Sequence, residues 1–153
     1  MITTMASPVT SPATTRTPLH LWIVGGLSLL WNAFGALDYL MTQFQVEAYM
    51  SAFTPEQVAY FYGFPVWVDI VWTFGVWGSV AGSIGLLLRK RWATTAFVVS
   101  LAGLLGCSLY TMILTDGLAL MGGVQAAISA VIWALIVGLM VYSVVLTRRG
   151  VLR

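Results

Sequence analysis

Two carboxylates set among apolar residues, Asp38 and Asp69, are the side chains of this sequence best suited to chemistry. Asp38 lies in the stretch WNAFGALDY, residues 31–39, and Asp69 in PVWVDIVW, residues 65–72. A carboxylate in such surroundings must be protonated, hydrated, sharing a proton or holding a cation. Two of them at matched depth could bind a proton, a metal cation, or a cationic or hydroxylated solute. Asp116 and Gln125 are expected at the same level, beside Thr111, Thr115 and Ser129, and Trp31, Trp72 and Tyr110 are available as walls. Asp38, Asp69, Asp116, Gln125, Trp31, Trp72 and Tyr110 therefore make up the candidate solute or cation pocket. A plainer reading stands beside it: both aspartates lie within about a turn of a segment end, where a side chain reaches headgroup water, and Asp69 also suits a helix first turn.

Other chemistries find little support. Cys107 and His20 are each the only residue of their type, which leaves no disulfide, no CxxC pair and no Cys-rich metal site within one chain, and haem held by two histidines would need a second subunit. No nucleophile and base share a depth, so the chain is not read as an enzyme, and no cofactor or metal is expected. The seven basic residues adjoin apolar segments instead of forming a stripe, which argues against a nucleic-acid partner.

The elements that must position the aspartates follow from composition. With 59% hydrophobic and 8% charged residues, the chain departs far from a soluble domain, where roughly 25% are charged. Its solvent is the lipid bilayer. The fold class expected is all-α, a bundle of four transmembrane helices over about 19–41, 66–88, 92–114 and 120–146, each long enough at about 1.5 Å per residue to cross a core of about 30 Å. Residues 1–18, rich in Ser, Thr and Pro, read as a disordered cytoplasmic tail, 19–147 as the membrane domain and 148–153 as a basic tail. Arg16 before an apolar stretch also fits a cleaved signal peptide, against which stand the length of the run and the bulk of Trp31 and Phe34 where small residues are needed.

Between the first two spans, Thr54-Pro55-Glu56-Gln57 reads as a helix start, with threonine as cap and glutamine three residues later. Gly63 and Pro65 end that helix, and Tyr60, Phe61 and Tyr62 suit an amphipathic segment at headgroup level. Arg16, Arg89 to Arg91 and Arg148 to Arg153 all fall on one side of a four-span chain, which places both termini in the cytoplasm. All five acids then lie on or near the outer face.

Lipid removes the hydrophobic drive between helices, so small residues must let backbones approach. Each span carries a stripe of them: Gly25, Ser28, Asn32, Gly35 and then Tyr39; Gly75, Gly78, Gly82 and Gly85; Ala96, Ser100, Gly103 and Cys107; Gly123, Ala127, Ala130 and Ala134. Asn32, inside the first stripe, is expected to bond a neighbouring helix. At about 100° per residue Asp69 points roughly opposite the glycines of its own span. The sequence leaves open which of the two faces inward, and so whether the glycines serve the bundle or a second subunit.

At WNAFGALDYLMTQ, AYMSAFTPEQVAYFYGFPVW and GVWGSVAGSIGLLLRKRWA, the chain resembles small four-span bacterial inner-membrane proteins often labelled "sugar transporter". The likeness covers residues 19 to 95 best. It implies a multi-pass protein of the bacterial inner membrane, and brings no site residues with it. Two functions are expected from these readings. One is a small-solute or proton- or cation-coupled transporter with an outward-facing acidic pocket. The other is a non-catalytic accessory or assembly protein that packs against a membrane partner, or against itself, through glycine-rich faces.

Overall fold

The computed structural model describes residues 18–153, so the tail read at 1–18 lies outside the described residues apart from Pro18. The described chain is helical: α1 (Leu19–Gln43), α2 (Glu47–Met50), α3 (Pro55–Tyr62), α4 (Val66–Leu87), α5 (Trp92–Leu109), a π-helical turn (Tyr110–Leu114) and α6 (Gly117–Arg148). Four helices are long and apolar enough to cross a membrane, at Leu19–Gln43, Val66–Leu87, Trp92–Leu114 and Gly117–Arg148. These agree with the expected spans to within a few residues. Large apolar side chains point outward, among them Leu27, Phe34, Ile70, Phe74 and Val124. Serines and an amide are inside: Ser28, Asn32, Ser79, Ser83, Ser100 and Ser143 are buried. A soluble fold has the reverse pattern, so the chain has the make-up of a small multi-pass membrane protein.

Helix α4 is the centre of the bundle, packed on one side by α5 and on another by α1, while α6 leans on α5. This arrangement resolves the choice the sequence left open, because a helix with two neighbours covers two faces. Gly75 meets the backbone of Gly103; Gly78 meets Ala96 and Ser100; Gly82 meets the ring of Phe97; Gly85 meets Ala93. The glycine stripe is thus used within the chain, and Ser100 Oγ donates to the Gly75 carbonyl at 2.6 Å across the same seam. A second side of α4 takes α1. There Asn32 Nδ2 donates to Ser83 Oγ at 2.9 Å and to the Ser79 carbonyl at 3.3 Å, and Leu87 packs over Gly25.

Asn32 thus makes the expected interhelical bond. Asn32→Ala is expected to lower stability by about 1 kcal/mol, the range of membrane interhelical hydrogen bonds, measured by reversible unfolding in mixed micelles. Loss of the same amount from Gly26→Ala, on the open side of α1, would show that the bond is not the cause.

Two small-residue stripes differ from expectation. In α1 the buried position is Ala36, while a Cβ at Gly35 would meet nothing within 4 Å. In α6 the stripe Gly123, Ala127, Ala130 and Ala134 is exposed. That helix packs instead through Ile136, Leu139, Ser143 and Leu146, and its Trp133 Nε1 donates to Ser108 Oγ of α5 at 3.1 Å. Larger residues spaced by three and four also make a helix face, and here they won.

The end of the bundle that carries the basic residues is closed. Leu21, Leu86, Ala93, Phe97, Leu139, Leu146 and Leu152 form one core cluster drawn from all four long helices and the tail. Gly150, at φ 70°, turns the chain back, the Arg153 amide donates to the Arg89 carbonyl at 2.7 Å and the Arg91 amide to the Arg153 carbonyl at 3.2 Å. The basic tail 148–153 is therefore also a packing element.

Candidate functional site

At the opposite, acidic end, a pocket of about 140 Å³ is lined by Thr42, Gln43, Gln45, Phe61, Tyr62, Asp69 and Trp72. Asp69 sits in the first turn of α4, where the free amides of a helix start favour a carboxylate. Gln43 Nε2 donates to Asp69 Oδ1 at 3.2 Å. One turn on, Thr73 Oγ1 gives its proton to the Asp69 carbonyl at 2.7 Å, so the 2.7 Å contact between Thr73 and Tyr39 must have the Tyr39 phenol as donor. Tyr39 in turn stands edge-on to Trp72, which also meets Phe64. The carboxylate is thereby set on a fixed frame, with one amide bound to it and aromatic rings around it.

Asp38 is elsewhere. It is exposed, and its carboxylate accepts a hydrogen bond from the Tyr49 phenol of α2. Burial, then the bond to Asp38 and its charge, push the Tyr49 phenol above the tyrosine range, so it remains a donor. The expectation that Asp38 and Asp69 line one pocket is corrected: Asp69 lines it and Asp38 does not. Tyr39 faces α4, and Asp38 precedes it by one residue, about 100° around the helix.

The other expected pocket residues also separate. Asp116 lines an open cleft of about 540 Å³ with Thr111, Thr115, Gly122 and Gly123. Gln125 and Trp31 are exposed and line neither cavity. Tyr110 belongs to an aromatic cluster with Tyr60, Phe64 and Trp67. Of the seven candidates, only Asp69 and Trp72 share a pocket.

One wall of that pocket comes from α3, which is built as its sequence implies. Thr54 and Gln57 form a capping box: the Thr54 hydroxyl accepts from the Gln57 amide at 3.3 Å and Gln57 Oε1 accepts from the Thr54 amide at 3.1 Å. The same first turn and the Thr54 hydroxyl hold the Glu56 carboxyl below its usual range. The remaining end of Gln57 reaches across the bundle, Nε2 donating to the Leu120 carbonyl at 3.2 Å. That carbonyl lies just before Gly122, whose φ of 80° and ψ of −177° interrupt α6 in a conformation open essentially to glycine alone. Tyr60 completes the brace. Thr115 Oγ1 donates to the Tyr110 carbonyl at 2.9 Å, so Tyr60 is the donor in its 2.8 Å contact with Thr115. Burial raises the Tyr60 phenol's pKa above its usual value.

Thr42, Gln43, Gln45, Phe61 and Tyr62 were not among the expected pocket residues. The signal was present at Gln43 and Gln45, two carboxamides just past the first apolar run, but which helix would face them was not. Among the described residues, no three of His, Cys, Asp and Glu converge as metal ligands would.

Comparison with family models, with curated proteins and with solved structures finds no match.

Proposed function

We propose that the protein is a small carrier of the bacterial inner membrane that binds a small cation, or a proton exchanged with one, at Asp69. The observation that carries this reading is the setting of the Asp69 carboxylate: a pocket with two carboxamides, a threonine hydroxyl and three aromatic rings, at the end of the bundle away from the basic residues of the two chain turns. Carboxylate and ring faces together attract ammonium-like cations. A volume of about 140 Å³ is well below the roughly 300–1,000 Å³ of sites for larger ligands, which favours a methylammonium-sized ion over the sugar that the family resemblance suggests. Both termini lie in the cytoplasm and the pocket opens outward in this reading, with α3 at headgroup level.

The test is uptake of labelled methylammonium into proteoliposomes, with pH inside followed by a dye. Asp69→Asn is expected to cut uptake about tenfold or more, the loss of one charged hydrogen-bond partner, while Asp38→Asn stays within about twofold. Equal uptake by wild type and Asp69→Asn would sink the proposal.

A second reading has its own observation. The stripe Gly123, Ala127, Ala130 and Ala134 of α6 is exposed, and a Cβ at Gly123 or Gly138 would meet nothing within 4 Å. Small stripes bring helices together in lipid, so this face suits a homo-oligomer or a membrane partner, and it replaces the α4 glycines as the accessory surface. Native mass spectrometry from lipid discs distinguishes a lone carrier from an assembly.

A further inference from the structure

Between the third and fourth spans the backbone is irregular on both sides of the connection. Helix α5 runs into the π-helical turn Tyr110–Leu114, and α6 is interrupted at Gly122. Inside a membrane such backbone is tolerated where it is buried in protein or lines a water-filled cavity, and π-turns recur at functional sites. Here it lines the cleft of about 540 Å³, which shares no residue with the Asp69 pocket. Helix α3 holds both sides of that cleft, through the Gln57 bond to the Leu120 carbonyl and the Tyr60 bond to Thr115.

Among the described residues, Asp116 is the only charged one in that lining. An aspartate at the N-cap ordinarily bonds the helix amides, but Asp116 makes no such bond and borders the cleft instead. The threonines beside it have spent their protons: Thr111 Oγ1 donates to the Cys107 carbonyl at 3.0 Å and Thr115 Oγ1 to the Tyr110 carbonyl at 2.9 Å. Their oxygens remain as acceptors. One negative charge among acceptor oxygens selects a cation. Met112, Leu118, Ala119 and Ala126 make the rest of the lining apolar, and Ile113 and Val124, next to it in sequence, are 73% and 77% exposed. A cation with an apolar body suits both parts, and the volume falls within the roughly 300–1,000 Å³ of organic-ligand sites. A bare metal ion does not suit them, since among the described residues no three of His, Cys, Asp and Glu converge.

We propose that the cleft between the π-helical turn and the start of α6 binds an amphiphilic organic cation, its charge against Asp116 and its apolar body against Met112, Leu118 and Ala126. The site is separate from the Asp69 pocket and does not rest on transport there. Gly122 and Gly123 keep it open, because a Cβ at either would stand in free space with nothing within 4 Å.

The experiment is equilibrium dialysis of the full chain in phosphatidylglycerol discs, with empty discs subtracted, against tetraphenylphosphonium and tetraphenylborate, which share size and shape and differ in the sign of their charge. Tetraphenylphosphonium is expected to bind saturably and tetraphenylborate not. Asp116→Asn is expected to bind the cation about tenfold more weakly, the loss of one charged partner, and Gly123→Leu, whose side chain enters the cleft, about tenfold or more. If Gly123→Leu loses helicity, Ala126→Leu carries the same test. Ala130→Leu, on the exposed face of α6 beyond the cleft, should stay within about twofold. Saturable binding of both ions, or full affinity in Asp116→Asn, overturns the proposal. So does a loss in Ala130→Leu equal to that in Gly123→Leu, because an interface between copies would then be the cause. A tenfold loss in Asp69→Asn assigns the cation to the other pocket and overturns it as well. Discs that also hold phosphatidylethanolamine identify the source of the cation: displacement of the probe assigns the cleft to a lipid headgroup and undiminished binding to a soluble amine, and either result supports an organic cation.

Discussion

Gly103→Ala is expected to destabilise the bundle by about 3 kcal/mol, the upper range for forcing extra atoms into a packed core. The reason is the identity of the atoms in the way. A Cβ on Gly103 would fall on the Val71 carbonyl oxygen and the Gly75 amide nitrogen, with the Gly75 Cα at 2.6 Å. All three are backbone of α4. A side chain that is crowded can rotate; a helix backbone can only move as a body, and moving it opens the seam along its length. Gly78 shows how little slack that seam has, since a Cβ there would lie 2.9 Å from the Ser100 nitrogen and 3.0 Å from the Ala96 oxygen. The bond from Ser100 to the Gly75 carbonyl would lengthen with it.

The control is Gly138→Ala in α6, where a Cβ meets open space. Alanine should leave stability unchanged or raise it by up to about 1 kcal/mol through helix propensity. Reversible unfolding of both variants in mixed micelles reads the difference. Equal midpoints for the two would mean that α4 and α5 do not pack through these glycines.

That seam was half legible in the sequence. Hydropathy and length are enough to mark four spans, because lipid imposes both on every helix that crosses it. Small residues spaced by three and four mark the face of α4 that packs, and Gly75 to Gly85 do pack. What spacing cannot say is how many neighbours a helix has. Asp69 and the glycines looked like rivals for one inner face, and the central position of α4 gives each its own neighbour. The α6 stripe misled for the same reason, since its alanines are as small as those that pack elsewhere while Ile136, Leu139, Ser143 and Leu146 take the contact.

The site was not legible in direction. Counting residues from the span ends places Asp38 and Asp69 at one level, yet one residue of phase separates Asp38 from Tyr39, and that residue decides which faces α4. Asn32 was easier, being polar within a stripe already assigned to packing. The capping box at Thr54 and Gln57 was also readable, because both of its bonds are local. The bond from Gln57 to Leu120 was not, because it depends on a break at Gly122 that a Gly-Gly pair within an apolar run does not announce.

The brace between α3 and α6 leads to the other large effect. Gly117→Val is expected to weaken methylammonium uptake about fivefold although Gly117 lines no part of the Asp69 pocket. A Cβ at Gly117 would occupy the position of the Tyr60 hydroxyl, and Tyr60 cannot yield cheaply, being bonded to Thr115 and packed against Phe61, Phe64 and Tyr110. Tyr60 must therefore move with α3. Phe61 and Tyr62 follow it directly in that helix, and they are walls of the pocket, while Phe64 touches Trp72 on the far wall. Overpacking of this kind costs about 1–3 kcal/mol, and transfer of about 1 kcal/mol of that to the bound state gives the fivefold loss. Tyr60→Phe distinguishes strain from a lost hydrogen bond: it removes the bond to Thr115 but keeps the ring, whose Cζ lies 2.5 Å from a Cβ at Gly117, so Tyr60→Phe alone should leave uptake within about twofold. A fivefold loss in Tyr60→Phe would show that the lost bond, and not a collision passed on by α3, is the cause.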